Sequence, residues 1–230
     1  MIYEIGSGSG IYCIEGAGAR VYYIARPEPM LVDAGAPGRA EAILRDLAQI
    51  GVQPIHIKKI LLTHHHLGHV GGLGEIKRRS GAMALAHYAD APYIAGKRPR
   101  RLPRRARERV FHNAVTRVGL DGAPGVQIDR PLDDSDEVNG WRVIHTPGHT
   151  AGHICLLHER VLISGDLVEA SAGGFREAPL ETITDLETCR ASIRRVAALE
   201  FSAILPAHNP PYVLNASKKV RELAARLDKD

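Results

Sequence analysis

Ten residues in the middle of the chain, Thr63-His64-His65-His66-Leu67-Gly68-His69-Val70-Gly71-Gly72, narrow the possibilities more than any other stretch. Four of them are histidine, and neutral imidazole is the commonest protein metal ligand. They follow Ile60-Leu61-Leu62, an apolar run that reads as a buried strand. In extended chain His64 and His66 point the same way. His69 lies a short turn further on and can swing back beside them. Gly71 and Gly72 then permit close backbone approach before a helix begins. The stretch reads as the start of a metal site at the C-terminal end of a strand.

The surrounding chain alternates strands and helices. Residues 10–15 and 19–25 are rich in Ile, Val and Tyr, with a Gly-Ala-Gly turn between them. Residues 30–32 form a short apolar strand ending in Asp33-Ala34-Gly35. Over 38–50 the apolar residues Ala42, Ile43, Leu47 and Ile50 recur at helical spacing, and Gly51 stops the run. Strands are expected at 55–62, 83–86, 126–128, 141–145 and 203–205, and a hairpin at 154–164. Helices are expected at 73–79, 185–199 and 217–227, the second with Asp185 as its N-cap. Between 88 and 120 the character changes. Arginines, with Lys97, crowd 97–109, Pro99 and Pro103 interrupt the segment, and a helix is expected over about 103–118. This stretch reads as a helical insertion on a single domain covering 1–230. Its charge is weighed as a solvated helix face, because Phe111 is the sole interleaved aromatic that nucleic-acid stacking would use.

A pattern recurs along this order. A short strand ends, and a residue of metal-ligating type follows: Asp33, then His64, His66 and His69, then His87, His149, Asp166 and His208. Strand ends of a layered α/β fold lie along one edge, where such residues can converge. Zn²⁺ takes histidine nitrogen and carboxylate oxygen, and a catalytic site keeps one position open for water. A single His or Asp at a strand end is weak evidence; the set is strong, since the first cluster needs partners and the later residues supply them.

Composition limits the alternatives. At 230 residues the chain can bury about 70% of its unfolded surface without staples. Its three cysteines (Cys13, Cys155 and Cys189) are far apart and odd in number, which argues against a disulfide framework and for a reducing, cytoplasmic setting. No apolar run approaches the ~18 residues needed to span a bilayer, and no secretory leader is expected at the N-terminus. The net charge of +4 says little about partners; nucleic acid and membrane are both set aside in favour of a small-molecule substrate.

Taken together, the motifs resemble those of the metallo-β-lactamase-fold hydrolases, in particular the stand-alone branch that includes glyoxalase II and lactonases. The family pattern is Thr-His-x-His-x-Asp-His-x-Gly-Gly, then a Gly-His loop, a Ser-Gly-Asp and a late His. Here 63–72 matches the first, Thr146-Pro147-Gly148-His149-Thr150 the second, Ser164-Gly165-Asp166 the third and Pro206-Ala207-His208 the fourth. The resemblance implies an α/β fold, an αββα sandwich of two mixed β-sheets flanked by helices. It implies one metal on His64, His66 and His149, a second on His69 and His208, and Asp166 bridging them, with Asp166 and His208 counted as catalytic. Asp33 and His153 would support the ligands from behind. His65, at a variable position, would point away, and His87, His145 and His158 are weighed as structural. The implied cofactor is one or two Zn²⁺, with Mn²⁺ or Fe²⁺ as alternatives, and the implied reaction is attack of metal-bound hydroxide on an ester, lactone or thioester. Tyr88 and Tyr93 are candidates for substrate contact. The resemblance also allows a homodimer, since members of the family are often dimers. One place departs from the pattern: Gly68 stands where the family has an Asp, so the second metal would have one ligand fewer. A mononuclear iron enzyme resembling the persulfide dioxygenases, built on His64, His149 and Asp166, is the alternative, together with a member of impaired activity.

Overall fold

A computed structural model of the chain describes residues 1–99, 125–171 and 174–228. They fall into two compact units, Met1–Leu132 and Asp133–Asp230. The expected helix at 103–118 and most of the Arg-rich run lie outside the described residues.

The first unit carries seven strands in sequence order: β1 (Ile2–Glu4), β2 (Ile11–Ile14), β3 (Val21–Ile24), β4 (Met30–Val32), β5 (Lys59–Leu62), β6 (Met83–His87) and β7 (Arg130–Leu132). From β1 to β4 neighbours are antiparallel; from β4 to β7 they are parallel. The change of direction follows the connections. Short Gly-containing turns can join antiparallel strands, whereas parallel neighbours need a crossover, and helices Ala40–Gln49 and Leu73–Ser80 supply it. The first of these buries Ala40, Ile43, Leu44 and Leu47, one stripe of a 3.6-residue period. They join Leu31, Ile60, Leu62, Leu73 and Ile76 in one core. All three residues of β4 and three of the four in β5 are buried, so these strands read as continuous apolar runs, as central parallel strands do. Gly51 (φ 78°) and Gly81 (φ 69°) take the left-handed positions that end the two helices.

Two expectations are corrected here. The strand expected from residue 55 begins at Lys59, because Pro54–His56 forms a 3₁₀ turn in which the Gln53 N–H donates to His56 Nδ1 at 3.1 Å. Residues 126–128 are not a strand. Ile128 is buried in the core, and Asp129 occupies the β6 edge at that level: its N–H donates to Ala84 O at 2.9 Å and its carboxylate accepts from Ala84 N at 2.7 Å. The ladder begins one residue later, on a strand containing Pro131, which an edge position tolerates.

The second unit has a five-stranded sheet ordered β14-β11-β10-β9-β8. Its strands are β8 (Glu137–Val138), β9 (Trp141–His145), β10 (Ile154–His158), β11 (Val161–Gly165) and β14 (Ala203–Pro206). The β14–β11 pair is parallel and the others antiparallel. A separate ribbon, β12 (Val168–Ser171) with β13 (Gly174–Glu177), was not expected. Its polar alternation hides it, and the pairing places Glu169 opposite Arg176, joined at 2.9 Å. Helix Leu186–Ala197 begins, as expected, at Asp185, whose side chain accepts from Thr188 N. Helix Ala216–Leu227 buries Val220, Leu223, Ala224 and Leu227, and both helices cover a core that includes Phe201, Ile204 and Ile193. Among the described residues no helix is long and apolar enough to cross a membrane.

Candidate metal centre

Because β4, β5 and β6 are parallel, their C-terminal ends share one edge of the first sheet, and the histidine loop leaves from the middle strand. Asp33 follows β4 in the left-handed conformation, φ 66°. Its buried carboxylate braces the loop at two places. Oδ1 accepts the Thr63 N–H at 2.8 Å, and Oδ2 lies 2.8 Å from His69 Nδ1. The Thr63 hydroxyl in turn sits 3.1 Å from His64 Nδ1. With Nδ1 of both rings engaged in this way, Nε2 is the nitrogen each would offer to a metal, the arrangement that fixes a ligand's tautomer and orientation. His66 precedes a single helical turn, Leu67–Val70, which carries His69 back over the strand end. The ring centroids of His64 and His69 are 4.0 Å apart, and those of His64 and His66 4.7 Å. The paired glycines are required: a Cβ at Gly71 would stand 2.1 Å from Pro37 N, and one at Gly72 2.3 Å from Ala34 O.

The second unit contributes three side chains from three strand ends. His149 lies in the loop after β9. There Gly148 (φ 121°) lets the chain pass so close to Cys189 that a Cβ would stand 2.1 Å from its backbone nitrogen. Asp166 follows β11, and its Oδ2 is 3.4 Å from His149 Nε2 and 3.3 Å from His208 Nε2. His208 follows β14, where the Ala207 N–H donates to Gly165 O at 3.1 Å. The Asp166 backbone N–H donates to His153 Nε2 at 3.1 Å, and His153 Nδ1 lies 2.8 Å from Thr146 Oγ1. An amide N–H can only donate, so His153 Nε2 must accept, which leaves its proton on Nδ1 for the threonine. His153 thus fixes Asp166 without facing it as a ligand.

Among the described residues two groups could hold a metal ion: His64, His66, His149 and Asp166, and His69, Asp166 and His208, with the offered ligand atoms of each group within 4.8 Å of one another. Three imidazoles with one carboxylate, and two imidazoles with the same carboxylate, are donor sets that fit Zn²⁺ and its first-row neighbours. Gly68 offers no ligand, and a Cβ there would meet nothing within 4 Å.

The remaining candidates sit elsewhere. His65 is buried against the Tyr93 ring, stacked at 4.6 Å and 15°. The Arg98 guanidinium lies 5.9 Å from the centroid of the same ring. Tyr88 is exposed. His87 Nδ1 accepts from Ala89 N, His145 Nε2 lies 3.0 Å from Ala151 O, and His158 Nδ1 lies 2.9 Å from Gly140 O. Burial pushes the Cys155 and Cys189 thiols up to about 12, so at neutral pH neither supplies the thiolate that binds metal. Sequence reasoning missed Asp90, which is wholly buried beside the histidine loop. Its only sequence signal is its place just beyond the end of β6.

The metallo-beta-lactamase superfamily model matches residues 19–208. The chain belongs to this superfamily. It is 32% identical to the probable metallo-hydrolase YflN of Bacillus subtilis, over 97% of this chain and 96% of that protein. It is also 32% identical to a hydroxyacylglutathione hydrolase of Aeromonas hydrophila, over 71% of this chain but only 50% of that protein. Among solved structures, a metallo-beta-lactamase from Cronobacter sakazakii with a mutated HARLDQ motif superposes at TM-score 0.71, covering 100% of this chain and 96% of that one at 21% identity. A metallo-beta-lactamase family protein from Thermus thermophilus superposes at 0.66 with 27% identity, over 96% of this chain and 80% of that one. The fold class is therefore the expected one: α/β, with two mixed β-sheets and flanking helices. The superfamily and the His/Asp cluster together make the chain a metallo-hydrolase relative with a place for a divalent metal.

Proposed function

We propose that this protein is a metal-dependent hydrolase of a small ester, lactone or thioester. The observation that carries the reading is the single carboxylate oxygen of Asp166, 3.4 Å from His149 Nε2 and 3.3 Å from His208 Nε2. An oxygen between two imidazole nitrogens is a donor that two cations could share. His64, His66 and His149 would hold the first ion with Asp166, and His69 and His208 the second with the same carboxylate. Zinc is the favoured ion, with manganese or iron as alternatives; a bound divalent cation supplies Lewis acidity to a carbonyl and brings the pKa of water down toward ~7.

The chain's own residues set the geometry for that chemistry. Asp33 holds His69 and the Thr63 backbone, and His153 holds the backbone of Asp166. His208, 39% exposed at its side chain, is the ligand most open to solvent, which suits a group beside which substrate arrives and water leaves. Tyr88, exposed close after β6, is the better placed of the two tyrosines to touch substrate, since Tyr93 already stacks on His65. A hydroxyacyl group on glutathione sulfur is a thioester, so the name of the Aeromonas relative supports keeping thioesters among the candidates.

The test is metal analysis of the purified chain, followed by a panel of esters, lactones and thioesters with and without chelator. One to two divalent ions per chain are expected, with turnover that chelation abolishes and zinc or manganese restores. Metal-replete protein that turns over none of the panel would sink the reading. One iron per chain without hydrolysis would move the assignment to an iron oxygenase on His64, His149 and Asp166.

A further inference from the structure

The ligand loop leaves β5, and β5 runs between β4 and β6. A carboxylate follows each neighbour: Asp33 after β4, already described, and Asp90 after β6. Asp90 occupies the N-cap position of helix Ala91–Ile94, where an aspartate ordinarily turns its carboxylate onto its own helix. It makes no such cap. Instead one oxygen, Oδ2, accepts the backbone N–H of His65 at 2.9 Å and lies 3.0 Å from His65 Nδ1. The side chain is fully buried, and His65 is 6% exposed. A buried carboxylate is expensive unless it is paired and hydrogen-bonded, so its position is tightly specified.

The N–H it takes belongs to the peptide joining His64 to His65. Fixing that peptide fixes the backbone from which His64 projects and, one residue further on, that which carries His66, while His65 itself turns away onto Tyr93. We infer that Asp90 is a positioning residue for the metal ligands His64 and His66, acting through the His65 backbone, and that it forms with Asp33 a two-sided clamp on the loop. Asp33 governs the part of the loop that carries Thr63 and His69, and Asp90 the part that carries the paired histidines. This inference rests on the proposed metal-binding role of the cluster. Its consequence is specific: loss of Asp90 loosens the ion held by His64 and His66, while a replacement that keeps one oxygen acceptor restores it. Outer residues of this kind typically change metal affinity by about 10–100-fold.

The experiment compares the full-length wild type with Asp90→Asn and Asp90→Ala. Zinc affinity is measured by chelator competition on folded protein, the visible spectrum of the Co²⁺-substituted protein is recorded, and exchange of the His65 amide is followed by NMR in the metal-free state. Asp90→Ala should bind zinc roughly 10–100-fold more weakly, with altered Co²⁺ bands and a fast-exchanging His65 amide. Asp90→Asn, whose side-chain oxygen can still accept that N–H, should stay within a few-fold of wild type on all three. Should Asp90→Ala fail to fold, Asp90→Asn alone decides: a 10–100-fold loss there overturns the inference. So does an Asp90→Ala protein that is less heat-stable but binds zinc with wild-type affinity and spectrum. If the wild type itself binds no divalent metal, the proposed function falls, and this inference with it.

Discussion

The two units equip their proposed ligands differently. In the first, three proposed ligands come from six consecutive residues, and two buried carboxylates, Asp33 and Asp90, hold them through hydrogen bonds to the loop itself. In the second, three proposed ligands come from three separate strand ends, and the supports are neutral: the His153 imidazole, the Thr146 hydroxyl and the Ala207–Gly165 backbone bond. The one negative charge of that unit's set is itself a proposed ligand, Asp166. A contiguous loop has many internal torsions to restrain and needs charged anchors from its neighbours. Ligands on strand ends inherit their positions from the sheet and need only local correction. Substitution of an anchor in the first unit should therefore act through loop geometry, and substitution of Asp166 in the second should act on the metals directly.

The sharpest test of that contrast is Asp166→Asn, which keeps the shape and removes the shared charge. Turnover should fall by roughly 10²–10³-fold or more, the scale associated with losing one electrostatic group at a reacting centre, and metal content should drop at both positions. His153→Gln, which alters only the support of Asp166, should cost roughly 10–100-fold in metal affinity. Metal titration of both variants separates the two effects. If the pair were equally damaging, the sheet would not be placing Asp166 as the second unit's geometry implies.

Asp33→Asn probes the first unit. Asparagine tolerates the left-handed backbone at φ 66°, so the change isolates the carboxylate. Weaker binding at the His69 position by roughly 10–100-fold is expected, with a stability loss of about 1–3 kcal/mol from the disturbed buried hydrogen bonds. Thermal melts of the metal-free and metal-loaded protein distinguish the two contributions. Unchanged affinity would mean that Asp33 supports the fold and not the ligand.

Gly68→Asp asks whether the first unit lacks a ligand. The position is open to a side chain, so a new carboxylate enters without a clash. Tighter binding of the second metal is expected, by about tenfold if the new ligand contributes ~1.4 kcal/mol. Equal affinity in both proteins would mean that His69, Asp166 and His208 serve as a complete site.

Much of this was legible in the sequence. The spacing of the histidines, the paired glycines and the apolar strand before them placed the loop correctly, since each signal is local. The crossover helices were readable for the same reason: Ile43 and Leu47 mark a buried stripe, and Gly51 marks its end. What escaped depends on long-range contact. Asp90 carries no local signal of its role, because its partner is His65, 25 residues away. The ribbon of β12 and β13 is held by a cross-strand Glu169–Arg176 pair that no periodicity announces. Residues 126–128 look like a strand, yet the edge of β6 is taken by Asp129, and the ladder shifts to the segment that contains Pro131.

The smallest effect concerns the second unit's surface, where neutral supports give way to a charged one. Asp134 accepts two bonds from the Arg195 guanidinium, at 3.0 and 2.8 Å, and one from the His145 N–H at 2.8 Å. Partial burial opposes its ionisation, but these donors outweigh it and hold the carboxyl below its ordinary value. A carboxyl depressed in the folded state contributes stability above its unfolded pKa of about 3.9, and that contribution is lost as pH falls through the folded value. Both side chains are about a third or more exposed, so solvent and salt screen the pair to roughly 0–1 kcal/mol. Arg195→Ala should therefore lower the melting temperature slightly at pH 7. The difference should shrink in high salt and, below the folded pKa of Asp134, fall to what the Arg195 Nη1 bond to His145 O supplies. Metal affinity should not move, because the pair touches the base of the His149 loop and not the ligands. A melting difference that persists unchanged at low pH would mean that Arg195 acts through its bond to His145 O and the packing of its stem, and not through the charge of Asp134.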